Sequence, residues 1–129
     1  MKGRRALERI PYARFLGVVL EDGDGGPVCR LGFREDLVGN VALPALHGGV
    51  VGAFLELTAL VGLLEQADSE RVPRPINFAI DYLRSVGPRD TRARAEIVKH
   101  GRRIANVRVV AWQDDPARPV AAGTGNFLL

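Results

Sequence analysis

One carboxylate stands alone in a long apolar stretch. In HGGVVGAFLELTALVGLLEQA, Glu56 is the only ionisable residue between Gly48 and Leu64, and its neighbours are Phe54, Leu55 and Leu57. A lone carboxylate is expensive to bury unless it is paired, hydrated or put to use. An apolar setting also raises its proton affinity and makes it a stronger base or nucleophile. Upstream, His47 is followed by Gly48 and Gly49, where the apolar stretch begins. At the start of a helix the first backbone N–H groups are unpaired and the helix dipole favours negative charge, so these amides could hold an anion or a developing oxyanion. Glycine removes the side chain that would block the approach.

The stretch is proline-free and apolar on every side, which predicts a helix over residues 48–67. On that helix Gly48, Gly52 and Glu56 form an i, i+4, i+8 row flanked by Gly49 and Ala53, predicting a channel of small residues that leads to Glu56. The plainer alternative is a glutamate bonded to backbone or water at a packing contact, with glycines that permit close approach. The helix start and Glu56 lie roughly 12 Å apart along the axis, at about 1.5 Å per residue. One chain is therefore badly placed to bring both to one atom. If both serve one reaction, they come from two chains across a two-fold axis, which predicts a homodimer with two sites at its interface.

The surrounding elements follow from periodicity. Residues 3–9 predict a short leading helix ended by Pro11, within an N-terminal lead-in of residues 1–14. From Phe15 the pattern turns to strands: FLGVVLED, a turn at GDGGP, then VCRLGFRED, a hairpin with one wet face. The segment LVGNVALPAL connects it to the helix. After DSERVPRP the period of two returns, with Ile76, Phe78, Ile80 and Tyr82 on one face, and further strands follow in TRARAEIVKH, IANVRVVAWQ and PVAAGTGNFLL. The apolar face of such a sheet must be covered, and the 48–67 helix is the only element large enough to do so. A helix apolar all round must itself be surrounded. The expectation is one α+β domain over residues 1–129, a curved antiparallel sheet wrapped around one long central helix.

Length and composition agree. The chain of 129 residues is 47% hydrophobic and 26% charged, within the range of one soluble globular domain. A single cysteine excludes a disulfide framework and a Cys-rich zinc site, no metal site is expected, and no signal peptide is read at the N-terminus. The expected location is the cytoplasm. A membrane span over Val41–Leu64 is disfavoured by Glu56 at mid-span, by the glycines, and by strands that need the helix to pack on. The net charge is +3, yet Arg84, Arg89, Arg92, Arg94, Lys99, Arg102 and Arg103 are opposed nearby only by Asp90 and Glu96. This is either a solvated strand face or a site for a phosphate-bearing ligand. Nucleic acid is not expected, because aromatic residues are only 6% of the chain and no helix carries a basic stripe with stacking partners.

HGGVVGAFLE, with its acid nine positions after the histidine, resembles the signature of hotdog-fold acyl-CoA thioesterases of the phenylacetic-acid-degradation and 4-hydroxybenzoyl-CoA thioesterase type. INFAIDYLRSVGPRDTRARAEIVKHGRRIANVRVVAW and VAAGTGNFLL are similar to the strand run of that family, so the resemblance covers residues 15–129. It implies a hotdog fold paired into dimers and often tetramers. It further implies hydrolysis of an acyl-CoA or aryl-CoA thioester, the Gly48 amide polarising the carbonyl and Glu56 of the other subunit acting as nucleophile or general base. Gly49 would lie beside that amide and His47 would shape the loop before the helix. Coenzyme A is then part of the substrate and no separate cofactor is implied. Its nucleotide end would lie near the turn at His100 to Arg103, with Arg102, Arg103 and Arg84 as candidate contacts. Two positions depart from the family pattern. Val41 stands where an Asn or Gln usually lies, with Asn40 one place earlier as the substitute, and Leu60 stands where some relatives carry a hydroxyl. The acyl pocket would depend on how Phe54, Leu57 and Leu60 pack against Phe78 and Tyr82. The competing readings are a non-catalytic acyl-CoA-binding module and a dehydratase or hydratase on the same fold.

Overall fold

A computed structural model describes residues 1–129. Two short helices lead, α1 (Lys2–Arg9) and α2 (Pro11–Leu16), followed by the hairpin β1 (Val18–Gly23) and β2 (Gly26–Leu31). A small hairpin of β3 (Val38–Asn40) and β4 (Leu43–Leu46) precedes the long helix α3 (Gly48–Gln66), and β5 (Arg74–Tyr82), β6 (Thr91–His100), β7 (Ile104–Trp112) and β8 (Ala121–Leu128) complete the chain. Six strands form one antiparallel sheet in the order β1-β2-β6-β7-β8-β5, so the last strand lies inside the sheet and β5 forms an edge.

The alternation in β7 and β8 sets the inner face. Ala105, Val107, Val109 and Ala111 are fully buried, as are Ala121 and Phe127, and all belong to the same core as the α3 side chains Phe54, Leu55, Ala59 and Leu63. Small residues on these strands let a full-length helix lie close to the sheet. One close approach is at Gly62, which lies against Ala95 of β6. The second side of α3 is closed by α1, which buries Gly3, Ala6 and Leu7 while Arg5 reaches out to pair with Glu70 at 2.6 Å. An all-round apolar helix is thus a core helix, buried between the sheet and the leading helices, and the membrane-span alternative is removed.

The strand order and central helix agree with the sequence reading, while the N-terminal boundaries differ. α1 ends at Arg9 ahead of Pro11, as expected, but Pro11 also opens α2 at its first position, where proline's missing N–H is harmless. Helical structure therefore runs on through Phe15 and Leu16, and the chain turns into β1 at Gly17, whose φ of 76° is the left-handed conformation that glycine adopts freely. The connecting segment before α3 folds into its own two-stranded hairpin. Leu46 N–H donates to Val86 O at 2.8 Å and His47 N–H to Leu37 O at 2.9 Å, fixing where the helix begins.

Candidate active site

His47 caps α3. Its Nδ1 accepts the Gly49 N–H at 2.9 Å, while its carbonyl accepts the N–H groups of Val50 at 3.0 Å and Val51 at 3.1 Å. An imidazole nitrogen that accepts must carry no proton, so the ring is in the tautomer with hydrogen on Nε2. The Gly48 N–H is the one amide of this first turn with no acceptor in the chain. It belongs to the same peptide as the His47 carbonyl, which already accepts two hydrogen bonds, so the free donor is polarised toward whatever binds there.

Gly48 and Gly52 do not leave an empty channel. A Cβ at Gly48 would lie 3.4 Å from the Tyr82 hydroxyl, and one at Gly52 would lie 2.7 Å from Ile80 Cδ1. These glycines admit the side chains of β5 against the helix. The expected row of small residues is real, but it is filled from the same chain, because the inward face of β5 must pack somewhere. The Tyr82 hydroxyl donates to the Gly48 carbonyl at 2.7 Å. That contact was not read from the sequence, although the alternation Ile76, Phe78, Ile80, Tyr82 placed one polar tip at the end of an apolar face.

Glu56 lies two helical turns beyond Gly48 on the same row, half-buried. Burial raises its pKa above the ordinary carboxylate value, and no hydrogen bond or neighbouring charge acts on it. A partnerless carboxylate of raised proton affinity can act chemically as a base, and a free helix-start donor can hold an oxyanion, but one chain does not bring the two within reach of each other.

The remaining predicted residues divide by location. Asn40 is exposed at the β3–β4 turn, its Oδ1 accepting the Ala42 N–H at 2.9 Å, and the neighbouring Val41 is 96% exposed. Phe54 is fully buried and Leu60 nearly so, both within the core cluster. As the fold stands, Phe54 packs the interior rather than lining an opening, because its turn of α3 faces the sheet. Arg84 follows β5 at the helix-start end and donates to the Pro119 carbonyl. Arg102 and Arg103 are exposed on the β6–β7 turn at the opposite end, where Arg102 shares a cleft with Gln66 and Ala67 after the last turn of α3. Within one chain these two arginines and Gly48 are separated by the whole helix, roughly 28 Å at about 1.5 Å per residue. No group of His, Cys, Asp and Glu side chains is arranged to hold a metal ion.

A six-stranded antiparallel sheet packed on one long helix, with a histidine-capped Gly-Gly start and an acid two turns on, defines a hotdog-fold protein of the thioesterase superfamily. Residues 38–128 match the family model described as the acyl-CoA thioesterase N-terminal domain, and the chain belongs to that family. It is 27% identical over 142 aligned positions to the medium/long-chain acyl-CoA thioesterase YigI of Salmonella typhimurium, covering 98% of this chain and 90% of that protein. Among solved structures, a phenylacetic acid degradation-related protein of Ralstonia eutropha superposes with a TM-score of 0.81 at 23% identity over 100% of both chains. A Bacillus halodurans protein solved with CoA superposes with a TM-score of 0.79 at 24% identity, over 98% of this chain and 86% of that one.

Proposed function

We propose that this protein hydrolyses acyl-CoA thioesters, with two sites formed across a homodimer. The observation that carries the reading is the pairing of a free, polarised Gly48 N–H at the start of α3 with the partnerless Glu56. Family membership supports the reaction class. The relative named for medium and long acyl chains suggests where to begin with substrate, and the neighbour solved with CoA supports CoA as the leaving group of that substrate.

In the proposed step the thioester oxygen accepts from Gly48 N–H. Glu56 of the partner subunit takes a proton from water, whose oxygen adds to the carbonyl carbon. Collapse of the tetrahedral intermediate breaks the C–S bond, and Glu56 returns the proton to the departing CoA sulfur. Acid and CoA leave, and the carboxylate is regenerated.

The dimer reading rests on β5. This strand has a neighbour on one side only, and Ile76, Tyr82 and Leu83 around it are 53%, 54% and 51% exposed. Pairing two copies of β5 antiparallel would run the two α3 helices in opposite directions and bring the helix-start end of one chain toward the later turns of the other. The same pairing would carry Arg102 and Arg103 of the partner toward the Gly48 end, beside Arg84, where the phosphates of CoA need cations. Further association of dimers into tetramers through the outer sheet face is compatible with this arrangement. The single free thiol, Cys29, fits a reducing cytoplasmic setting.

The test is thiol release by wild type and Glu56→Ala across short, long and aromatic acyl-CoAs. Turnover by wild type that falls at least about a hundredfold in the variant is expected from loss of a general base. Equal turnover in both would reject the mechanism, and binding without turnover would make the protein an acyl-CoA-binding module.

A further inference from the structure

The two glycines that begin α3 are the most conformationally free pair at which to mount a catalytic donor, since glycine gains the most freedom when a helix end frays. Something must hold them. Two side chains do so from opposite directions. His47 accepts the Gly49 N–H at 2.9 Å from the loop side, and the Tyr82 hydroxyl donates to the Gly48 carbonyl at 2.7 Å from β5. The Gly48 carbonyl and the Gly49 N–H belong to one peptide unit, so that plane is gripped at both of its polar ends.

We propose that Tyr82 is a positioning residue that, with His47, clamps the Gly48–Gly49 peptide and thereby aims the free Gly48 N–H. The inference rests on the thioesterase reading for its catalytic meaning, while the clamp itself is a property of the folded chain. Three features support it. The phenol end lies directly against Gly48, where even a Cβ would touch it, 3.4 Å from the hydroxyl, so Tyr82 packs on the very residue whose carbonyl it binds. β5 is anchored rigidly by eight register pairs with β8, from Arg74↔Leu128 to Tyr82↔Ala121, so the hydroxyl is delivered by a strand and not by a loop. Tyr82 is also 54% exposed, so it is not held there by core packing and its hydroxyl makes the specific contact. Fixing the second peptide fixes the dihedrals of Gly48, and with them the direction of the N–H that precedes it. The same grip strengthens the Gly49 N–H as a donor to His47 Nδ1 and locks the Nε2–H tautomer.

The test uses full-length protein labelled with 15N-glycine, wild type and Tyr82→Phe, a change that removes one exposed oxygen and keeps the ring. Two quantities are read: amide hydrogen exchange at Gly49, and kcat and KM on an acyl-CoA that the wild type turns over. The clamp predicts exchange at Gly49 faster by about tenfold or more, kcat lower by about tenfold, and KM within about twofold, since the Gly48 N–H is kept but its aim at the developing oxyanion is impaired. Tyr82→His, which restores a ring donor, is expected to recover part of the loss. Unchanged exchange overturns the clamp whatever the kinetics. Faster exchange with unchanged kcat in an active enzyme overturns the positioning role. Faster exchange in a protein that turns over no thioester would uphold the clamp and reject the thioesterase reading, which separates the two failures.

Discussion

Gly62 of α3 and Ala95 of β6 meet so closely that a Cβ on Gly62 would lie 2.7 Å from the Ala95 methyl carbon. Ala95 has no longer side chain to swing aside, and it belongs to a strand paired with β7, where it lies opposite Val109. Gly62→Ala would improve intrinsic helix propensity by about 1 kcal/mol, yet overpacking of this kind costs about 1–3 kcal/mol. We expect net destabilisation, read as a lower thermal midpoint. Gly52→Ala is the control, because the atom it would meet is the mobile tip of Ile80. A Gly62→Ala protein more stable than wild type would show that the helix does not sit as close to the sheet as described.

The proposed sites, each drawing on both chains of a homodimer, predict complementation. Glu56→Ala and Gly48→Val homodimers are each expected to be inactive. Subunits exchanged by unfolding and refolding together should regain about a quarter of wild-type activity, since half the dimers are mixed and each mixed dimer holds one intact site. No recovery on mixing, with hybrid dimers present by native mass spectrometry, would place the base and the donor in the same chain.

The raised pKa of Glu56, caused by burial, has two consequences of opposite sign. In the proposed mechanism Glu56 must be ionised to act as base, so kcat/KM should fall with unit slope as pH drops through a value above the ordinary 4.5. For stability, the folded protein binds this proton more tightly than the unfolded chain. Folding is therefore favoured at low pH, and that advantage is lost as pH rises from the unfolded pKa through the folded one. Glu56→Gln should melt higher than wild type near pH 7.5 and at the same temperature near about pH 4. Equal differences at both pH values would show that the carboxylate is not strained by its setting.

Cys29 is 1% exposed, and burial pushes its thiol pKa up to about 12. It should resist alkylation in the native protein at neutral pH and react only on unfolding. Prompt modification of the native protein by a thiol reagent would contradict the packing of β2 against α3.

The sequence carried the architecture because its strongest signals were periodic. The all-apolar run from Gly48 to Gln66 demanded a cover on every side, and the period-two segments after Arg74 supplied one, so helix, sheet and their contact were legible together. The candidate site was legible where it depended on type and spacing: the Gly-Gly start does open α3 and Glu56 does lie half-buried on it without a partner. What could not be read were contacts set by the third dimension. Tyr82 and Ile80 fill the space beside Gly48 and Gly52 because β5 lies at the edge that crosses the helix start, and no spacing within either segment encodes that crossing. The end of the first helix before Pro11 was legible, but the second helix was not, for a local reason: proline ends one helix and begins the next with equal ease, and only Gly17 marks where α2 stops and the strand begins.

Strand order also has a temporal meaning. β5 is made before β6 and β7, yet its only partner in the sheet is β8, which enters between β7 and β5. Until residues 121–128 emerge, β5 has no neighbour, and Ile76, Phe78, Ile80 and Tyr82 have no sheet to join. Closure of the sheet is therefore a late, long-range event of the kind that slows folding and leaves a sticky edge in waiting. A nascent or truncated chain lacking β8 would be prone to self-association through the same strand that, in the finished protein, keeps one edge free.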